Sequence, residues 1–172
     1  MDPDAKLVVS WLVGQRIWEH AEAFMRDLAS RLANRVLPTT DGHSMYLPTV
    51  AEAFHYDVDF AQLVKVYGTE PEAERRYSRP ICLGAKETWV SGQPTERDVS
   101  TSYIERANLS IRMGSGRYTG LTNAFSKKVE NHVHAFALFA IHYNSCRSHM
   151  TLTKARSGIH TLAMTESTAT VG

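Results

Sequence analysis

The alternation of strand-like and helix-like segments is the feature that most constrains the fold of this chain. Residues 6–13 form a nearly continuous apolar run closed by Gly14, which predicts a buried strand. Apolar side chains then recur every three or four residues over 18–32, with charged residues between them, which predicts an amphipathic helix. Strands and helices that alternate in this way predict an α/β fold.

The rest of the chain continues this pattern and ends in helices. Residues 36–37 lead into Asp41-Gly42, which predicts a short strand that ends in a turn. The other predicted elements are a brief helix over 48–54, a strand over 57–67, a small hairpin around 88–90 within an irregular connection over 68–100, and helices over 102–113 and 123–149. We expect one domain over 1–155 and a disordered tail over 156–172.

Apolar content and cysteine usage restrict the class of protein. There is no apolar run of the length that a membrane-spanning helix needs, and the acidic start lacks the apolar core of a signal peptide. Cys82 and Cys146 are the only cysteines, too few for a disulfide framework. We therefore expect a cytoplasmic protein with no membrane partner.

Charge is distributed unevenly along the chain. Residues 1–100 carry 11 Lys and Arg against 15 Asp and Glu, a net of −4. Residues 101–156 carry 8 Lys and Arg against only Glu105 and Glu130, a net of +6. A basic segment of this kind is expected where a chain lies along a polyanion, and a solvated basic face is the alternative.

Two places on the chain offer side chains suited to phosphodiester chemistry. Glu105, Asn108 and Arg112 lie three and seven positions apart, so they share one helix face. The acid suits a hard cation, while the amide and guanidinium suit phosphate. Asp41 lies in a turn at the end of a predicted strand. Alternatively, Asp41 is a common turn residue and Glu105 completes a capping box with Ser102.

Four segments resemble, in order, the catalytic domain of bacterial DDE transposases of the insertion-sequence-one type. They are residues 2–11, 39–46 (Thr-Thr-Asp-Gly-His-Ser-Met-Tyr), 100–113 (Ser-Thr-Ser-Tyr-Ile-Glu-Arg-Ala-Asn-Leu-Ser-Ile-Arg-Met) and 121–132, with a continuation at 142–147. The resemblance covers roughly residues 1–155. It implies an RNase H-like, retroviral-integrase-like fold, a mixed sheet flanked by helices with a long C-terminal helix.

The resemblance also implies an activity and a set of site residues. Members of the family cleave DNA strands and join the ends to a target, using two magnesium ions held by three carboxylates. Asp41 and Glu105 correspond to two of those catalytic, metal-binding acids. The implied partner is DNA, as transposon ends and target, with self-association as a further expectation. The DNA-contacting residues would be Arg106, Asn108, Arg112, Arg117, Lys127 and Lys128.

The sequence also departs from the family. The first catalytic aspartate of the family lies on a preceding strand, in an Asp-Glu-x-Trp-like segment that is absent here, and Asp2 and Asp4 do not correspond to it. Gly116 and Gly120 stand where relatives place Arg. We therefore expect an N-terminally truncated transposase fragment with an incomplete sheet, weak magnesium binding and no activity alone. Two alternatives stay open: a non-catalytic DNA-binding fragment that modulates full-length transposase, and an RNase H-like nuclease in its own right.

Overall fold

The computed structural model describes residues 1–68, 82–93, 99–120, 123–150 and 152. The chain divides into two compact units: unit 1 combines Met1–Gln15 with Ser102–Gly172, and unit 2 is Arg16–Thr101. The described elements are helices and a three-stranded mixed sheet, which confirms the predicted α/β class. The tail predicted over 156–172 lies outside the described residues.

The sheet belongs to unit 2 and has β2 in the middle. Strands β1 (Thr39–Thr40) and β2 (Phe60–Tyr67) are parallel, with Thr40 opposite Gln62. Strand β3 (Cys82–Ser91) runs antiparallel to β2. The small hairpin predicted around 88–90 is wrong, because this region is instead one ten-residue strand. Nearly every β3 side chain is exposed, so its sequence lacks the apolar alternation that reveals a half-buried strand.

Two helices of unit 2 pack against the start of β2. Helix α1 (Trp18–Ser30) confirms the helix predicted over 18–32, and α2 (Tyr46–Ala53) that predicted over 48–54. Their buried residues Met25 and Val50 form one core cluster with Val58 and Phe60. Burying an apolar side chain of this size contributes about 1.5–3 kcal/mol to folding. This cluster therefore fixes β2 relative to both helices.

Unit 1 consists of helices and an extended N-terminal segment. Its elements are α3 (Ser102–Gly114), a 3-10 turn (Gly116–Tyr118), α4 (Val129–Ile141) and a π-helical turn (His142–Cys146). The single helix predicted over 123–149 is therefore too long at both ends. Lys128 has extended backbone angles and no side-chain cap, and Arg147 is extended again after the π-helical turn.

The N-terminal segment is not a strand, contrary to the prediction for residues 6–13. Both backbone groups of Val8 bond to the Asn144 side chain instead: Val8 N donates to Oδ1 over 3.0 Å, and Nδ2 donates to Val8 O over 3.1 Å. The Trp11 ring lies 4.9 Å from the Phe136 ring. The apolar run therefore packs along helical residues, a possibility that periodicity cannot separate from a buried strand.

Candidate functional site

Asp41 is displayed by a turn that β2 holds in place. It directly follows β1 and is exposed, and its Oδ1 accepts a hydrogen bond from the His43 backbone N–H over 3.3 Å. The buried Gln62 amide donates to Thr40 Oγ1 over 3.4 Å and to the His43 carbonyl over 3.3 Å. The Gln62 side chain of the central strand thus holds the residues before and after the Asp41-Gly42 turn, Thr40 and His43.

Gly42 completes this arrangement by allowing close approach to β2. A Cβ atom at Gly42 would lie 2.5 Å from Val64 Cγ2, so only glycine fits without movement of Val64. Tyr46, which begins α2, is partly buried, and burial together with the charge of Asp41 raises the pKa of its phenol. Sequence reasoning missed Gln62 and Val64. The available signal for Gln62 was an amide between the apolar residues Ala61 and Leu63 of a predicted strand.

Helix α3 carries the second predicted acid, Glu105, and three of the predicted DNA-contacting residues. Glu105, Asn108 and Arg112 are all exposed, whereas Ala107 and Ser110 are buried. Glu105 lies in the first turn, where a carboxylate also interacts favourably with the helix dipole. The predicted helix is therefore present, with the three side chains accessible to a ligand.

The two predicted metal ligands belong to different units, Asp41 to unit 2 and Glu105 to unit 1. Within the described residues, no group of three or more His, Cys, Asp and Glu side chains could hold a metal ion. The described residues alone therefore do not assemble the three-carboxylate magnesium centre that the resemblance implies. Neither acid provides such a centre within its own unit.

Several predicted DNA-contacting cations form an exposed set in unit 1, which we call the basic set. None of its members forms a salt bridge within the described ranges. The basic set consists of Arg106 and Arg112 on α3, Arg117 in the 3-10 turn, and Lys127 and Lys128 just before α4. No carboxylate of the described residues offsets the charge of these guanidinium and ammonium groups, so they can attract and bind an external anion.

Arginines of unit 2 behave differently, because acidic side chains pair with three of them. The pairs are Arg26 with Glu22, Arg31 with Asp27, and Arg35 with both Asp57 and Asp59. The contrast agrees with the opposite net charges of the two parts of the sequence. In the described residues, unit 1 therefore offers exposed cations without salt-bridge partners, whereas these three arginines of unit 2 are paired with acids.

The Arg35–Asp59 pair is a site that sequence reasoning missed. Arg35 Nε and Nη2 donate to the two Asp59 oxygens, each over 2.9 Å, and Gln93 N donates to Asp59 Oδ1 over 3.0 Å. The Arg35 hydrogen bond, followed by that from Gln93, lowers the pKa of Asp59 from 3.8 to about 2. A depression lined by these residues and Gly92 lies beside the pair. Because carboxylates occupy the guanidinium, we assign it a structural role.

Comparison with known protein families, with curated protein sequences and with solved structures finds no match. In the part of the chain that the structure describes, no helix has both the length and the apolar character needed to cross a bilayer.

Proposed function

We propose that this chain is part of the catalytic domain of a DDE transposase of the insertion-sequence-one type, with an RNase H-like fold, and that it does not cleave DNA by itself. The observation that carries the proposal is helix α3. It presents Glu105, Asn108 and Arg112 as exposed side chains, in the order and spacing of the third-acid helix of that family. The turn that displays Asp41 supports the same assignment.

The absence of activity follows from the carboxylates. When bound, two magnesium ions supply an activated attacking oxygen and stabilise the leaving oxygen of an in-line phosphoryl transfer. The family holds them with three acids, and this chain offers Asp41 and Glu105 as counterparts. The described residues contain no cluster of three such ligands. Without that cluster, we expect the chain to bind DNA without breaking its backbone.

A strand-cleavage assay tests this proposal. The chain is incubated with supercoiled plasmid and with element-end duplexes in magnesium, and nicked and joined products are measured. We expect no turnover above background, and no difference between the unaltered chain and the Asp41→Ala and Glu105→Ala variants. Clear turnover that disappears in Asp41→Ala would overturn the proposed inactivity and indicate a working metal centre.

A second candidate function is non-catalytic DNA binding that modulates full-length transposase through mixed assembly. The exposed basic set of unit 1, without salt-bridge partners in the described residues, favours it. This function requires duplex binding that needs no magnesium, tolerates any sequence and weakens steeply with salt. Binding that survives high salt, or no binding at low salt, would count against it.

A further inference from the structure

We infer that Tyr118 is a positioning residue that fixes Arg117 for contact with a nucleic-acid phosphate. The inference rests on the proposed DNA binding and deepens it, because it assigns a role to a side chain outside the basic set. Arg117 and Tyr118 share the 3-10 turn Gly116–Tyr118, which follows α3 after one residue. A turn this short has few internal hydrogen bonds, so its orientation depends on what it docks against.

Tyr118 docks the turn onto α4 through one hydrogen bond and two ring contacts. Its hydroxyl donates to the His132 carbonyl over 2.9 Å. Its ring centroid lies 4.5 Å from that of His132 and 6.2 Å from that of Phe136, the latter edge-on. Burial raises the pKa of Tyr118, in the direction that favours the neutral phenol, which is the form that donates this hydrogen bond. Three contacts from one side chain therefore hold the turn against α4.

Arg117, the neighbour of Tyr118 in this turn, forms a hydrogen bond with the segment that contains the lysine pair. Its Nη1 donates to Ser126 Oγ over 2.9 Å, and Ser126 immediately precedes Lys127 and Lys128 in the chain. Arg117 is also the only Lys or Arg between Arg112 and Lys127. If the turn were released, the cost of ordering the Arg117 side chain would offset what one phosphate contact contributes, so the contact would be lost.

The salt dependence of duplex binding tests this role. Binding of a fluorescent duplex is measured at several salt concentrations for the unaltered chain and for Arg117→Ala, Tyr118→Leu, Tyr118→Phe and the Arg117→Ala/Tyr118→Leu double variant. Each lost phosphate contact makes the slope of log affinity against log salt shallower by about 0.9, and weakens binding about five- to ten-fold near 0.1 M salt. Tyr67→Leu, which alters an exposed tyrosine of unit 2, is the matched control.

We expect Tyr118→Leu to make the slope shallower by nearly as much as Arg117→Ala does. The double variant should have the same slope as Arg117→Ala alone. Tyr118→Phe keeps the ring contacts, so its slope should lie between those of the unaltered chain and Tyr118→Leu. If circular dichroism shows that Tyr118→Leu loses helix, Tyr118→Phe is the variant that tests the inference. An unaltered slope in the Tyr118 variants would overturn this inference and leave the proposed DNA binding standing. The same holds if the slope changes of the two single variants add in the double variant. Absence of duplex binding by the unaltered chain would instead overturn the proposed DNA binding, and the inference with it.

Discussion

Gly92 lies where the backbone leaves no room for a side chain. Its φ is +70°, and a Cβ atom there would lie 2.0 Å from Asp59 Oδ1 and 3.0 Å from Asp59 Cα. The clash is with backbone as well as with a carboxylate that Arg35 holds, so it cannot be relieved by a simple side-chain rotation.

We predict that Gly92→Ala lowers the free energy of unfolding by about 1–3 kcal/mol, through backbone strain and displacement of Asp59. Urea denaturation followed by tryptophan fluorescence measures the change. Gly84→Ala is the matched control, because nothing lies within 4 Å of a Cβ atom at that strand position. Equal losses in the two variants would contradict the proposed clash.

Asp59 also makes stability depend on acid pH. Its pKa is lowered to about 2 in the folded chain, chiefly by the Arg35 hydrogen bond. A carboxylate whose folded pKa is depressed stabilises the fold above its unfolded pKa, and that contribution is lost as pH falls towards the folded value. We predict that the urea midpoint falls between about pH 5 and pH 2, and that it falls less in Asp59→Asn. Glu52→Gln, at an exposed position of the same unit, is the control and should show the same fall of the urea midpoint as the unaltered chain. An equally steep fall in Asp59→Asn would contradict the contribution of Asp59 to this acid dependence.

At the scale of elements, the attachment of the N-terminal segment to the π-helical turn depends on Asn144. Its amide bonds to both backbone groups of Val8, as a neighbouring strand would. We predict that Asn144→Ala lowers the free energy of unfolding by about 1–3 kcal/mol, because two half-buried backbone groups of Val8 lose their hydrogen-bond partner. Thermal unfolding and amide hydrogen exchange at Val8 provide the measurement. Asn131→Ala, at an exposed position of α4, should cost much less, and a similar cost in both variants would contradict the argument.

Elements whose apolar face reaches a core could be predicted from sequence. Helix α1 is one example, since Met25 is buried while Phe24 and Leu28 pack against the same cluster. Strand β2 is another, although Asp57 and Asp59 pair with Arg35 before the strand begins at Phe60. In both, burial imposes the periodicity from which the element was predicted.

Elements defined by backbone pairing or by local docking could not be predicted. Strand β3 forms through its ladder with β2 while its side chains stay exposed, so its sequence carries no alternation. The start of α4 depends on extended backbone at Lys128, in a stretch where Ser126 bonds to Arg117. Hydrogen bonds between distant residues decide such boundaries, and a one-sequence pattern does not contain them.

For the whole molecule, the division of charge matters more than the net charge of +1. Three arginines of unit 2 pair with acids, whereas the basic set of unit 1 forms no salt bridge within the described residues. Long-range attraction of a polyanion follows such local excess charge and not the average. If the chain binds DNA as proposed, this distribution assigns the contacts to unit 1.

The candidate site was predictable only in its individual residues. The Asp41 turn and the exposed Glu105 face of α3 lie on the elements predicted for them. The buried brace provided by Gln62, and the close approach of Gly42 to Val64, depend on strand register and were not predictable.

The most direct test of the proposed metal-independent DNA binding is duplex affinity measured across a salt series in EDTA. If each of its five members contacts one phosphate, the basic set predicts a slope of log affinity against log salt of about −4.5, at about −0.9 for each contact. A triple variant of the basic set should make the slope shallower by about 2–3: Arg112→Ala/Lys127→Ala/Lys128→Ala. A charge-matched triple variant of unit 2 should leave the slope unchanged: Arg16→Ala/Arg26→Ala/Lys86→Ala. Absence of binding near 50 mM salt, or equal slopes for the two triple variants, would contradict the assignment of DNA binding to unit 1.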